Sequence, residues 1–339
     1  MRSFGDSIGL TKSFTILDDG DSDSLLNEVI RDLDPGFFKS KENPKAKPIK
    51  GLLSFSRNIS ASFEEVAKGR YPSNTELCSK IDSFAQIYQQ TKLERGLADY
   101  DDLLVYWLEV MENNQEAAEY YQQRFSHVLV DEYQDVNSLQ ARIVDKIASN
   151  HQIMAVGDDA QCIYTWRGAD LDQIMSFPER HPGTKIFKIE TNYRSSPEIL
   201  ELANGILERR AVETSYSKIL KPSRPHQDLP VLVPTMDTYQ QADFVLSKVE
   251  QLYDQGIDYD QIAILYRAHF HAMELQIELS RRGMPFVITS GLRFFEQAHV
   301  KDLVAQLRFV INPRDRTAFY RFICLLPKVG EKTAAKLLL

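Results

Sequence analysis

His127-Val-Leu-Val-Asp-Glu-Tyr-Gln-Asp135 indicates the architecture to expect of this 339-residue chain. An apolar run of β-forming residues leads directly into adjacent carboxylates, and Asn137 with Ser138 can cap the helix that follows. That helix would present three apolar side chains on one face, Leu139, Ile143 and Ile147. A strand that passes through a polar loop into a helix is the repeating unit of a parallel α/β sheet.

Two more apolar runs follow, and each also ends in polar residues. Residues 152–156 lead into Gly-Asp-Asp (157–159), and residues 185–189 lead into Glu-Thr-Asn (190–192). In parallel sheets the functional groups gather beyond the carboxyl ends of the strands. We therefore expect the three polar clusters at one edge of a sheet.

The pattern restarts beyond Asn204, which predicts a second α/β lobe. Further strands are expected at residues 230–234, 261–266 and 285–289. Helices are expected between them, at residues 238–254 and 271–282, the second one stopped by Gly283. The linker between the two lobes would include residues 221–225.

The N-terminal third of the chain predicts helices rather than strands. Residues 22–34 suit an amphipathic helix with four apolar side chains on one side, Leu25, Val29, Ile30 and Leu33. Residues 51–125 look mostly helical, with breaks near Pro72 and Gly96. The five lysines and two prolines of residues 39–50 favour an exposed basic linker over a contact with duplex DNA.

Composition excludes several classes of protein. A hydrophobic content of 43% with 26% charged residues is ordinary for two or three globular domains. No apolar run approaches the ~18 residues that span a bilayer, and no secretory signal is present, so we expect a cytoplasmic protein without a membrane partner. Three scattered cysteines argue against a zinc site and disulfides. The net charge of −8 argues against broad phosphate contacts, but not against a narrow track of aromatic side chains.

The first polar cluster suits nucleotide hydrolysis. Asp131 and Glu132 are adjacent carboxylates at a strand end, where one can hold Mg²⁺ and its neighbour can orient or deprotonate the attacking water. The alternative is an acidic turn that only caps the next helix. The preceding strand and the Gln-Asp that completes the motif favour the functional interpretation.

The second cluster, residues 157–169, combines a polar amide with aromatic rings. Gln161 follows a strand and a glycine turn, so that its amide can reach a γ-phosphate. Tyr164, Trp166 and Arg167 offer stacking surfaces and a cation, as sites for single-stranded nucleic acid do. The alternative is that both rings are core residues beneath the sheet.

The third cluster, residues 190–195, places an arginine just beyond a predicted strand. Arg194 can contact phosphate while Tyr193 stacks on a base. The alternative is a surface arginine beside a half-buried tyrosine, and this motif alone is weak.

Taken in order and at these separations, DEYQD, GDDAQCIYTWRGA and TNYRS resemble motifs II, III and IV of the UvrD/Rep/PcrA group of superfamily-one DNA helicases. Residues 98–104 (ADYDDLL), 291–296 (GLRFFE) and 300–302 (VKD) agree with that group. The resemblance implies RecA-like parallel-sheet lobes, partial 1A and 2A, with a mostly helical 1B insertion. The domains it implies are 1–97 (1B-like), 98–204 (1A), 205–312 (2A) and 313–339 (start of a 2B-like insertion).

The resemblance also implies roles in ATP hydrolysis. Asp131 would hold Mg²⁺, and Glu132 would be the catalytic base. Gln161 would sense the γ-phosphate of ATP, and Arg194 would stabilise the transition state as an arginine finger. Tyr193 would stack on adenine.

On the DNA side, the resemblance implies that Tyr164, Trp166 and Arg167 contact the bases of a tracked single strand. A protein of this group couples ATP hydrolysis to 3′→5′ translocation and duplex unwinding. Its implied partners are single-stranded DNA, junctions of single- and double-stranded DNA, and proteins of DNA repair or replication.

The chain departs from the family pattern in two places. It contains no phosphate-binding G-x-x-x-x-G-K-[ST] loop, since residues 328–333 (KVGEKT) lack the required spacing, and motifs V and VI are absent. Residues 326–335 suit either a helix-hairpin-helix-like turn or a plain connection between helices. We therefore expect a piece of a helicase that alone does not hydrolyse ATP. The alternatives are a non-catalytic DNA-binding relic and part of a RecB/AddA-like helicase-nuclease.

Overall fold

A computed structural model describes residues 3–148, 152–209, 216–289, 298–327 and 329–337. The chain divides into two compact units. The first unit comprises Met1–Glu190, Gly205–Ile219 and Ala298–Leu339, and the second comprises Thr191–Asn204 and Leu220–Gln297. The domain boundaries predicted at residues 97, 204 and 312 stay predictions.

The described residues form short strands, which pair in parallel, and many helices. The strands are β1 Thr15–Ile16, β2 Leu97–Ala98, β3 Val128–Val130, β4 Ile153–Ala155, β5 Thr191–Asn192 and β6 Lys221–Pro222. The helices are α1 Asp19–Leu33, α2 Ala46–Asn58, α3 Phe63–Arg70, α4 Thr75–Glu94, α5 Tyr100–Asn113, α6 Gln115–Arg124, α7 Ser138–Ile147, α8 Leu171–Met175, α9 Phe177–Arg180, α10 Pro197–Leu207, α11 Thr238–Asp254, α12 Met273–Arg281, α13 Ala298–Ile311, α14 Arg316–Ile323 and α15 Glu331–Leu337.

The N-terminal helices pack around one apolar core, as the sequence predicts. Core side chains from α1, α2 and α4 include Leu25, Val29, Ile30, Ile49 and Ile81. Two expectations were wrong in detail. Leu33, in the last turn of α1, is 49% exposed. The segment 39–50 is not wholly a linker, because α2 begins at Ala46.

A buried group of charges joins α2, α4 and α5. Lys92 of α4 is fully buried, and its Nζ lies 2.6 Å from Oδ2 of Asp102 and 2.5 Å from Oδ2 of Asp99. Arg57 of α2 reaches Oδ1 of Asp102 at 3.0 Å and Oδ1 of Asp99 at 3.5 Å. Asp99 and Asp102 also form the capping box that begins α5. We call Arg57, Lys92, Asp99 and Asp102 the buried charge cluster.

The predicted strand-loop-helix unit is confirmed. Strands β3 and β4 pair in parallel, with Val128 opposite Ile153 and Val130 opposite Ala155. Asn137 caps α7 through a bond from the backbone N–H of Gln140 to Oδ1 at 2.9 Å. The predicted apolar face of α7, formed by Leu139, Ile143 and Ile147, is buried.

The C-terminal helices belong to the first unit and contact its N-terminal part. Arg308 of α13 forms ion pairs with Asp21 and, at 2.9 Å, with Asp315. Lys301 pairs with Asp18 at 2.8 Å. Residues 326–335, predicted as a turn or a connection between helices, follow α14 and extend into α15, which begins at Glu331. Residue 328 lies outside the described residues.

The remaining strand predictions were wrong. Residues 185–189 form no strand, and β5 instead pairs in parallel with β6, inside the predicted linker. Residues 230–234, 261–266 and 285–289 also form no strand. An apolar run becomes a strand only where a second strand satisfies its backbone groups. No described segment does so here, and apolar side chains of these runs are exposed, among them Phe187 (84%), Leu232 (93%), Leu265 (93%) and Val287 (89%).

The helices predicted for the second unit are confirmed. Helix α11 spans the predicted residues 238–254, and Asp237 caps it. Helix α12 ends before Gly283, whose φ of +68° suits glycine. Residues 291–296 (GLRFFE) lie outside the described residues.

None of the helices in the described ranges is both long and apolar enough to cross a membrane.

Candidate functional site

The acidic pair lies at the carboxyl end of a strand, as predicted. The ladder of β3 and β4 continues one step beyond the strands, because Val156 N–H donates to Val130 O at 2.8 Å and Tyr133 N–H donates to Val156 O at 2.9 Å. Asp131 and Glu132 are both exposed at this edge. The backbone N–H of Glu132 donates to Oδ1 of Asp131 at 2.9 Å.

Glu132 has an unusual backbone conformation. Its φ is +50° and its ψ is 43°, in the left-handed region that favours glycine. Among the described residues other than glycine, only Ser60 shares a positive φ. Such strain persists where the surrounding structure fixes it, and it is common at functional sites.

Gln134 joins Glu132 to the end of β4. The side chain of Gln134 is buried, with 1% of the residue exposed. Its Nε2 donates to Oε2 of Glu132 at 2.7 Å, and its Oε1 accepts the backbone N–H of Asp158 at 2.9 Å. One amide therefore holds the catalytic candidate and the next loop in a fixed relation.

Gly157 allows this close approach. A Cβ at position 157 would lie 2.7 Å from Oε1 of Gln134 and 2.8 Å from Cδ1 of Ile174. Either distance is shorter than real carbon contacts, so a side chain here would displace Gln134. The glycine that the sequence places after β4 is therefore required by packing.

Asp158 organises the loop that carries Gln161. Nε2 of Gln161 donates to Oδ2 of Asp158 at 2.9 Å, and Lys218 pairs with Asp158 and, at 2.9 Å, with Asp159. Burial alone would raise the pKa of Asp158, but the hydrogen bonds from Gln161 and Lys218 outweigh it and lower the pKa. Glu132, Gln134, Asp158, Gln161 and Lys218 thus form one connected group, the strand-end network.

The aromatic side chains of the second cluster are exposed and are not core residues. Trp166 is 61% exposed and Tyr164 is 40% exposed, with ring centroids 6.5 Å apart and planes inclined by 54°. Cζ of Arg167 lies 5.2 Å from the Trp166 ring. Trp166 and Arg167 lie in a 3-10 turn, Thr165–Arg167, and Tyr164 directly precedes it. We call residues 164–168 the aromatic turn. An exposed indole with a cation over it suits base stacking.

Tyr193 and Arg194 belong to the second unit, whereas the other predicted site residues belong to the first. Asn192 shapes their turn, because its Oδ1 accepts the backbone N–H groups of Arg194 at 2.9 Å and Ser195 at 2.8 Å. Tyr193 is 76% exposed, and the Arg194 side chain is exposed as well. The alternative of a half-buried tyrosine is therefore wrong, and both side chains are accessible to a ligand.

The residues present are compatible with Mg²⁺ held by a single carboxylate. Among the described residues, no group of three or more His, Cys, Asp or Glu side chains could hold a metal ion. Mg²⁺ commonly keeps several waters and takes one or two carboxylates together with phosphate oxygens. The exposed carboxylate of Asp131 meets that requirement.

Sequence reasoning missed the residues that connect the site. Gln134 lies inside the DEYQD motif, and its position two residues after Glu132 was the available signal. Lys218 lies 60 residues from its partner Asp158, and no spacing pattern predicts such a pair. Asp158 was quoted in the second cluster without a role.

Comparisons with known proteins give a consistent result. The UvrD/REP helicase N-terminal domain model matches residues 1–182, and the UvrD-like helicase C-terminal domain model matches residues 187–338. The ATP-dependent DNA helicase PcrA of Bacillus subtilis is 32% identical over 335 residues, which cover 96% of this chain and 43% of that protein. PcrA of Leuconostoc citreum is 30% identical, over 95% of this chain and 42% of that protein.

A probable DNA helicase II homolog of Mycoplasma capricolum is 28% identical over 100% of this chain and 46% of that protein. The chain thus spans less than half the length of these curated relatives. The two family models cover both RecA-like parts that the motifs predict, and the parallel strand pairs agree with them. The chain belongs to the UvrD-like DNA helicase family.

Proposed function

We propose that this chain provides part of the motor of a 3′→5′ ATP-dependent DNA helicase. In that protein, ATP hydrolysis drives translocation along single-stranded DNA and unwinding at junctions with duplex DNA. The observation that supports this best is the strand-end network. It connects a strained, exposed glutamate to the loop of Gln161, and the aromatic turn begins a few residues later on the same loop.

In the proposed mechanism, Glu132 orients and deprotonates the water that attacks the γ-phosphate. Gln134 holds the Glu132 carboxylate from one side, so that its direction is fixed before ATP binds. Asp131 would hold Mg²⁺, which neutralises charge on the phosphates when bound. By the family resemblance, Arg194 would contact the γ-phosphate, where an arginine finger accelerates related reactions by about 10³-fold or more.

Gln161 connects nucleotide to DNA in this proposal. Its amide donates to Asp158 in the described structure, and the same N–H can instead donate to a γ-phosphate oxygen. That exchange would release one hydrogen bond on Asp158 and loosen the loop that leads into the aromatic turn. Trp166 and Tyr164 would stack on bases, and Arg167 would add a cation.

Two measurements on the purified 339-residue chain test the proposal. We expect negligible ATP hydrolysis with or without DNA, because the backbone amides and lysine of a phosphate-binding loop are not in this sequence. We also expect oligothymidylate binding that Trp166→Ala weakens by ~1–3 kcal/mol with an unchanged melting temperature. A lower melting temperature with unchanged affinity would mean that Trp166 serves packing instead of DNA.

A chimera tests the motor itself. The matched 335 residues of the Bacillus subtilis relative would be replaced by this chain. We expect the chimera to unwind a duplex with a 3′ single-stranded tail, and Glu132→Gln to abolish hydrolysis while strand binding persists. Unwinding only of a 5′-tailed duplex, or full ATP hydrolysis by the Glu132→Gln chimera, would contradict the proposal.

A further inference from the structure

A helix from the N-terminal part of the first unit holds the aromatic turn. Asn58, the last residue of α2, donates from Nδ2 to the backbone oxygen of Arg167 at 2.9 Å. The two residues lie 109 positions apart in the sequence. This bond therefore ties the turn that carries Trp166 to a helix outside the strand-loop-helix unit.

The packing around this bond is close. Gly168, which ends the aromatic turn, is buried and has a φ of +94°. A Cβ at position 168 would lie 2.8 Å from Cβ of Asn58 and 3.4 Å from Cγ2 of Ile59. The end of α2 thus rests directly on the turn, and only glycine fits between them.

The end of α2 is itself fixed. Arg57, next to Asn58, is anchored in the buried charge cluster through Asp102 at 3.0 Å and Asp99 at 3.5 Å. On the other turns of the helix, Ala46 and Ile49 are fully buried in the apolar core. Asn58 therefore projects from a rigid support, which is what a residue that orients a binding surface needs.

We propose that Asn58 is a positioning residue for the aromatic turn, and that it sets the orientation of the Trp166 ring for stacking on a single strand. The proposal rests on the proposed strand-binding function of that turn. An exposed ring binds a base best when its orientation is fixed beforehand, because binding then costs less conformational entropy. Asn58 touches no base in this proposal and acts through the backbone of the turn.

The test uses the full chain with Trp107→Phe, which leaves Trp166 as the single tryptophan. Trp107 suits this exchange, because its Nε1 is buried and has no hydrogen-bond partner in the described structure. Oligothymidylate affinity is measured by the fluorescence anisotropy of a labelled oligonucleotide. In the free protein, iodide quenching measures how accessible the Trp166 ring is, and tryptophan anisotropy measures how freely it rotates. Variants are Asn58→Ala, Trp166→Ala and their combination. The matched control is Asn27→Ala, which removes a 2.8 Å bond from an asparagine to a helix carbonyl elsewhere in the unit.

We expect Asn58→Ala to weaken oligothymidylate binding by about threefold to tenfold, the effect of one lost hydrogen bond. In the free protein it should lower the anisotropy of Trp166 and increase its quenching. Combined with Trp166→Ala it should add nothing, because both changes act through the same ring. Asn27→Ala should change none of these values.

Contrary results separate the two proposals. If Asn58→Ala has the same oligothymidylate affinity and the same iodide quenching of Trp166 as Asn27→Ala, Asn58 does not position Trp166. The same conclusion follows if the loss of affinity caused by Asn58→Ala adds fully to the loss caused by Trp166→Ala. If Trp166→Ala leaves affinity unchanged, the strand-binding function is wrong. The quenching of Trp166 then still decides whether Asn58 orients the turn.

Discussion

Two groups of charged residues in the first unit have similar composition but different surroundings. The buried charge cluster combines two carboxylates with Lys92 and Arg57, and the side chains of Lys92 and Asp102 are fully buried. The strand-end network also joins carboxylates to a lysine, but Glu132 is exposed and the Asp158 side chain is 34% exposed.

The difference separates a structural role from a functional one. In the buried charge cluster, the side chains of Lys92 and Asp102 have no surface that a ligand could contact. In the strand-end network, the side chains of the strained Glu132 and of Gln161 are exposed to solvent, so that a ligand can replace one of their protein contacts. We infer that accessibility and backbone strain, and not the number of charges, mark the site.

The largest expected effect comes from removing the central cation of the buried cluster. Lys92→Met leaves Arg57 as the one cation of the cluster beside two buried carboxylates, Asp99 and Asp102. We expect a loss of about 3–5 kcal/mol in the free energy of unfolding. Lys218→Met, the equivalent change in the strand-end network, should cost less, about 1–2 kcal/mol, because water can reach Asp158 although the other partner, Asp159, is buried. Urea denaturation of both variants measures the contrast. Equal losses would remove the distinction between the two groups.

Acid titration gives the next largest effect. Burial would raise the pKa of Asp99, but Lys92 and Arg57 outweigh it and hold the pKa at about 2. Because the folded pKa lies below the unfolded value, this stabilisation is complete above pH ~4 and is lost as the pH falls to ~2, about 2 kcal/mol in all. Denaturation midpoints measured between pH 5 and pH 2 test this.

Asp99→Asn is the control for the titration. Asparagine still caps α5 but carries no charge, so this variant should be less stable at pH 5 and should lose less stability on acidification. If parent and variant lose the same stability between pH 4 and pH 2, another group is responsible for the acid sensitivity.

The contrast also explains how far sequence alone could predict this molecule. The helices and their caps at Asn137 and Asp237 were predictable, because capping and apolar periodicity involve residues only a few positions apart. The strands at residues 185–189 and 230–234 were not, because a strand depends on a partner far away in sequence. The same reason hid Lys218 and Asn58, whose partners lie 60 and 109 residues away.

The smallest expected effect on stability comes from replacing Gln134. This change tests most directly whether the strand-end network serves function more than folding. Gln134→Met keeps the size of a buried side chain but removes the bonds to Glu132 and to the backbone of Asp158. Because both partners lie at an accessible edge, water can replace part of what is lost, and we expect a cost of about 1 kcal/mol in urea denaturation.

The functional cost of Gln134→Met should be larger than its structural cost. Glu132 would lose the contact that fixes its direction, and in the chimera with the Bacillus subtilis relative we expect kcat for ATP hydrolysis to fall by about 10²-fold while KM changes little. Gln140→Met, which removes another side-chain amide that accepts a backbone bond, is the matched control and should leave kcat unchanged. A variant that unfolds easily yet retains kcat would place Gln134 with the buried charge cluster, as a residue of the fold alone.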